Sequence, residues 1–152
     1  MNARVNATRS QTVDETNVAM PELVFFYGTL MTPFKRLGRL RIEEHLRYSG
    51  RGSIAAALFD LGIYPAAVPA AEGRVWGEVY EVLDPPLVLE ALDEIEGYSP
   101  GELESSLYTR RKTSVTLENG RIVEAWAYFY NAPLGRAPRI TSGDYLEHLK
   151  MK

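Results

Sequence analysis

YTRRKTSVTLENGRIVEAWAYFY, residues Tyr108–Tyr130, is the stretch that decides the fold class. Two runs rich in Thr, Val, Tyr and Phe flank Glu118-Asn119-Gly120-Arg121. Asn-Gly adopts two positive φ angles at low cost, so the stretch reads as a β-hairpin with strands at Tyr108–Leu117 and Ile122–Tyr130. The second run alternates, with Val123, Ala125, Ala127 and Phe129 on one face and Ile122, Glu124, Trp126, Tyr128 and Tyr130 on the other. The fold is therefore built on antiparallel pairing.

Working outward, Leu23–Tyr27 (LVFFY) reads as a short buried-type strand, and Gly28-Thr29-Leu30 turns out of it. Residues 33–48 are mixed, with a helix expected near Ile42–Tyr48. Ser53–Leu61 is a strand, Gly62–Gly73 an irregular Gly/Pro/Ala stretch, and Val75–Leu83 a further strand. Gly77 inside that last strand predicts a bulge or a close backbone approach. Asp84–Gly97 (DPPLVLEALDEIEG) is one short helix, with Asp84 as N-cap, Pro85 at the first helical position and Gly97 as the stop. A polar loop covers Tyr98–Ser106, a Pro-containing turn Asn131–Pro138, and a short helix ends the chain after Tyr145. No internal repeat is present. The sum is an α+β domain, a largely antiparallel sheet closed or nearly closed into a barrel and flanked by a few short helices. Alternating βα units, which a doubly wound sheet requires, are absent. Residues 1–20 are polar and without period and are expected to be a flexible tail, with Met20 as an alternative start. Residues 21–152 then form a single domain.

A chain of 152 residues suits one domain, and 45 % hydrophobic with 24 % charged residues is the ordinary globular balance. The net charge of -3 points away from nucleic acid and from anionic membrane surfaces. The cluster Lys35, Arg36, Arg39 and Arg41 is expected to be a solvated basic face. With no cysteine, disulfides, thiol catalysis and thiolate metal sites are excluded. His45 and His148 stand far apart and read as surface residues, so neither a metal centre nor a Ser-His-Asp site is expected. No run approaches the roughly 20 apolar residues of a membrane span, and no signal-peptide core is present. A cytoplasmic setting is expected by default, and the oligomeric state is not readable.

Two places can carry chemistry. On the helix, Val88, Ala91, Leu92 and Ile95 share the apolar face, and Glu90, Asp93 and Glu94 fall on the solvent side. Glu96 falls on the flank of the apolar arc. Either it frays into water at the helix end, or it is a carboxylate with a task. The negative end of the helix dipole and partial burial both disfavour its charge, which would make it a better base. The second place is Tyr27-Gly28-Thr29-Leu30, where a glycine turn at a strand end exposes backbone N–H groups that can hold an anion. Its spacing matches neither a Walker loop nor a dinucleotide fingerprint, and a plain tight turn explains it equally. Tyr27, Tyr64, Tyr98, Tyr108, Tyr128 and Tyr130 offer hydroxyls or simply fill the core.

Taken together and in order, VFFYGTL (24–30), LDEIEGY (92–98), SLYTRRKTSV (106–115), EAWAYFY (124–130) and ITSGDY (140–145) resemble the gamma-glutamyl cyclotransferase-like superfamily. That group includes gamma-glutamylamine cyclotransferases and avirulence-induced plant proteins. The resemblance implies a small mixed β-barrel flanked by helices. It implies that Tyr27, Gly28, Thr29 and Leu30 form the substrate-binding turn, that Glu96 is the catalytic acid/base, and that Tyr108 and Tyr128 line the pocket. The implied reaction needs no metal or cofactor and releases 5-oxoproline from a small gamma-glutamyl amine or dipeptide. Met31-Thr32-Pro33-Phe34 departs from the Lys-Arg-Gly type continuation of the gamma-glutamylamine branch, which leaves the amine side of the substrate open. Two other readings stand beside it: a non-catalytic small-molecule binding protein on the same barrel, and an enzyme deprotecting a larger gamma-glutamylated intermediate. The width of the pocket mouth near Met31–Arg36 and Tyr98–Ser106 separates the last from the first.

Overall fold

In the computed structural model of the protein, residues 21–31 and 41–151 are described. The expected tail (1–20), the basic residues Lys35, Arg36 and Arg39, and residues 32–36 of the expected pocket mouth lie outside them. Five strands form a closed barrel: β1 (Glu22–Phe26), β2 (Leu46–Asp60), β3 (Pro65–Val82), β4 (Tyr108–Leu117) and β5 (Ile122–Tyr130). Around the barrel they run β1-β3-β2-β4-β5. Every pairing is antiparallel except the closing one, where β5 meets β1 in parallel with Trp126 beside Val24. Helix α1 (Pro85–Glu96) joins β3 to β4, and α2 (Tyr145–Lys150) ends the described chain. The α+β barrel with short flanking helices is the architecture the sequence predicts.

The hairpin at 108–130 forms with Tyr108 opposite Tyr130 and Thr116 opposite Ile122. Its turn corrects the sequence reading: Gly120 takes a positive φ (90°) but Asn119 does not, and the Leu117 N–H bonds the Arg121 C=O, so three residues rather than two span the turn. Phe25 faces Val79, Ile54 faces Val75, and Val115 joins them in the core, each at most 1 % exposed. Gly77 makes a close approach: a Cβ there would stand 2.2 Å from the Phe26 carbonyl oxygen.

The β2–β3 pair corrects the sequence reading in two places. Gly62–Gly73 is not irregular, because from Pro65 onward it belongs to β3. Ala and Pro are poor strand formers, so local preference is silent there, and the ladder against the 15-residue β2 decides. The register jumps from Ala55 opposite Arg74 to Ala56 opposite Pro69, which leaves 70–73 as a bulge. Ile42–Tyr48 is no helix either. Glu43–His45 makes one 3-10 turn, and Leu46–Tyr48 pair with Val82–Tyr80 at the head of β2.

Residues 138–143 lace the far end of the barrel through backbone bonds: Pro138 C=O to Asp60 N–H, Ile140 N–H to Leu58 C=O, and Gly143 C=O to Trp76 N–H. His148, expected at the surface, instead lies 2.8 Å from the buried Asp60 carboxylate and ties α2 to the end of β2. Tertiary pairing brought these partners together across 88 residues, beyond any local signal.

Gly77→Ala is expected to lose about 2–3 kcal/mol of unfolding free energy, because β1 must move off β3 to admit the methyl. Urea denaturation of the variant checks this; an unchanged midpoint would show that the close approach is not required.

Candidate active site

Helix α1 sets the position of Glu96. Asp84 caps it by accepting the Leu87 N–H, Pro85 opens it, and Gly97 ends it in the left-handed conformation (φ 65°, ψ 40°). Val88 and Leu92 are fully buried and fix how the helix is rolled against the barrel. Glu96 lies four residues after Leu92 and so comes off nearly the same side, one turn further on. The Gly97 C=O accepts the Leu107 N–H at 2.9 Å, and Tyr98 N–H returns to the Asp93 C=O at 2.9 Å. The helix end is thereby tied to the start of β4. Glu96 does not fray into solvent: with Ile95 it lines a cavity of about 270 Å³.

The turn after β1 forms another wall. It is closed by the Met31 N–H to the Gly28 C=O at 3.1 Å, with Leu30 and Met31 buried beneath it. Gly28 is required by crowding, since a Cβ would come within 2.9 Å of the Pro65 ring. Tyr27, Gly28, Thr29, Leu30, Glu96, Tyr108 and Tyr128 all line this one cavity. Residues that the sequence places up to a hundred positions apart are thus brought together. Tyr64, Pro65 and Leu107 also line it and carried no separate signal in the sequence beyond Tyr64's hydroxyl.

The three buried tyrosines are held by their hydroxyls. Tyr27 donates to the Tyr128 carbonyl (2.7 Å) and accepts the Ala67 N–H (3.3 Å). Tyr108 donates to the Pro65 carbonyl (2.9 Å), and Tyr128 donates to the Asp93 carboxylate (2.5 Å). Burial pushes all three well above the usual tyrosine range. The Glu96 charge adds to the rise in each case, and for Tyr128 the bond to Asp93 adds more. These side chains are therefore neutral hydroxyls at physiological pH.

Asp93 is the residue the sequence reading placed wrongly. It was expected on the solvent face of α1, yet its side chain is only 15 % exposed. It bonds Tyr128 and lies 3.6 Å from the Arg110 Nε. Arg110, directly opposite Tyr128 in the β4–β5 ladder, is stacked over the Trp126 ring at 4.8 Å and faces the Tyr98 ring at 5.8 Å. Helix periodicity marks a face as polar; it cannot say that a strand will cover that face. Among the described residues no group of three or more His, Cys, Asp or Glu side chains is arranged to hold a metal ion, and no helix is long and apolar enough to cross a membrane.

Because the three tyrosines titrate higher in the folded than in the unfolded chain, the stability they contribute is complete below the unfolded value of about 10 and is lost as pH rises above it. Alkaline unfolding is expected to steepen by up to about 1.4 kcal/mol per pH unit for each. Tyr27→Phe should lower overall stability yet flatten that slope. An unchanged slope in alkaline denaturation would refute the assignment.

Residues 24–147 match the family described as gamma-glutamyl cyclotransferase, AIG2-like. A Methanocaldococcus jannaschii protein provisionally named a gamma-glutamylcyclotransferase is 33 % identical over 133 residues, covering 84 % of this chain and 98 % of the relative. Among solved structures, YkqA from Bacillus subtilis superposes with a TM-score of 0.64 at 30 % identity. That match covers 87 % of this chain, which spans only 42 % of YkqA. An AIG2-like protein from Mus musculus superposes with a TM-score of 0.62 at 25 % identity, over 83 % of this chain and 88 % of the mouse chain.

Proposed function

The chain belongs to the gamma-glutamyl cyclotransferase, AIG2-like family, and from that premise we propose that it releases 5-oxoproline from a gamma-glutamyl amine or dipeptide with Glu96 as general acid and base. One observation carries this reading: Glu96 and the Tyr27–Leu30 turn are walls of the same small cavity. The cavity is near the lower end of small-molecule sites, which suits a compact substrate held in a folded conformation.

In the proposed mechanism the α-ammonium of the substrate lies against Glu96, and its γ-carbonyl lies against the turn. Glu96 accepts one proton from the ammonium. The freed amine attacks the γ-carbonyl of the same molecule, and the new C–N bond closes a five-membered lactam. The bond to the leaving amine then breaks as Glu96 returns the proton to it. The ring nitrogen gives up its second proton by way of Glu96 to the released amine, leaving a lactam N–H and an ammonium ion. Attack within one molecule removes the cost of bringing two reactants together, so positioning supplies much of the rate. Backbone N–H groups of the turn stabilise the charge that develops on the carbonyl oxygen. The neutral tyrosine hydroxyls put no second anion beside the Glu96 carboxylate as it cycles.

Glu96→Gln keeps shape and removes the acid/base. It is expected to lower the rate of 5-oxoproline release at least about 100-fold while leaving the thermal midpoint nearly unchanged. Release at the wild-type rate would rule out the role given to Glu96. A panel of gamma-glutamyl amines and dipeptides, scored for 5-oxoproline, identifies the leaving group.

A further inference from the structure

A tyrosine hydroxyl has a single proton to donate and lone pairs to accept with. In this cavity the proton of each buried tyrosine is already committed, because carbonyl and carboxylate oxygens can only accept. Tyr27 gives its proton to the Tyr128 carbonyl, Tyr108 to the Pro65 carbonyl, and Tyr128 to the Asp93 carboxylate. Tyr27 also spends a lone pair on the Ala67 N–H. Tyr108 and Tyr128 line the cavity together with Glu96, and a hydroxyl whose proton is committed can meet a ligand only as an acceptor. That part of the wall matches a group rich in donors and positively charged, and it would repel a carboxylate.

The hydroxyl of Tyr128 differs from the other two in what holds it. Its acceptor is a side chain, at the short distance of a charge-assisted bond, and that side chain has its own support. Asp93 sits on α1 one turn before Glu96, with its carboxylate between the Tyr128 hydroxyl and the Arg110 guanidinium. Arg110 is fixed by the rings of Trp126 and Tyr98. Its Nε and Nη1 are buried without a hydrogen-bond partner, so the guanidinium's charge acts on Asp93 as an ion-pair partner rather than through a direct bond. Asp93 itself does not line the cavity.

We propose that Asp93 is a positioning residue: by taking the Tyr128 proton it turns the Tyr128 oxygen toward the cavity as an acceptor for the substrate's α-ammonium group. The proposal rests on reading the cavity as a gamma-glutamyl site and adds the feature that distinguishes its amine end. Glu96 takes the ammonium proton that is transferred, and Tyr128, oriented by Asp93, takes a hydrogen bond from one that stays.

L-glutamate and glutarate differ only by the ammonium group, so calorimetric binding of the two to the full chain reads this end of the site without turnover. The wild type should prefer L-glutamate. Tyr128→Phe and Asp93→Asn should each cut that preference about 10-fold, the scale of one hydrogen bond to a charged group. The double variant should lose no more than Tyr128→Phe alone, since both changes remove the same bond. A merely structural role for Asp93 would move the thermal midpoint and leave the ratio of the two affinities alone. An unchanged preference in either single variant, or losses that multiply in the double variant, overturns the proposal. If Asp93→Asn does not fold, Tyr128→Phe decides by itself, because it leaves the Asp93–Arg110 pair in place. Wild type that shows the preference but releases no 5-oxoproline upholds this assignment and sinks the proposed reaction instead. Wild type with no preference overturns the assignment.

Discussion

The Tyr27 hydroxyl joins three strands at one buried point. It donates to the Tyr128 carbonyl on β5 and accepts from the Ala67 N–H on β3, linking positions 101 and 40 residues away in sequence. Each bond contributes only about 1 kcal/mol net, but removing the hydroxyl leaves a buried carbonyl and a buried N–H without partners, at about 1–3 kcal/mol for each. Its position matters more than its strength. Tyr27 is the first residue after β1, and the barrel closes where β1 meets β5 through a single parallel step, Val24 beside Trp126. The hydroxyl secures that seam just beyond the last ladder pairing. The turn at Gly28–Met31 follows at once, so the same contact that closes the barrel places the turn opposite α1.

How much of this was legible in the sequence follows from how local each cause is. The 108–130 hairpin was readable because Asn119-Gly120 marks the turn and alternation dictates the faces. The helix was readable to the residue, because Asp84, Pro85 and Gly97 act on backbone groups within a few positions of themselves. The first half of β3 was not, since Pro65-Ala66-Ala67-Val68-Pro69 has little preference of its own and is a strand only because β2 lies beside it. The same cause hid the start of β2 at Leu46–Tyr48, which carries a helix-like pattern but is captured by the end of β3.

The candidate site divides along the same line. Its seven sequence-predicted residues meet in one cavity because three of the stretches carrying them end on elements with strong local signals: a strand–glycine turn, a capped helix and a hairpin. The groups behind that first layer were invisible. Asp93 has the helical phase of a solvent-facing residue, and only the arrival of β5 and Arg110 makes it a buried partner. The roles of the seven rest on the family resemblance and on chemistry, whereas their assembly is a matter of geometry.

Two carboxylates three residues apart on one helix would ordinarily raise each other's energy, and here both stand close to buried, neutral tyrosines. The arrangement separates them by giving them different neighbours. Asp93 has the Arg110 guanidinium at 3.6 Å, held between aromatic rings. Glu96 lines the cavity, where a ligand can reach it. One carboxylate, outside the cavity, thus faces a hydroxyl and a guanidinium, while the other lines the cavity itself. A helix end alone could not make that distinction, because its dipole acts on both in the same sense. The distinction comes from the strand pair laid against the helix, which puts Arg110 and Tyr128 on Asp93, contacts that no local pattern in the helix would mark.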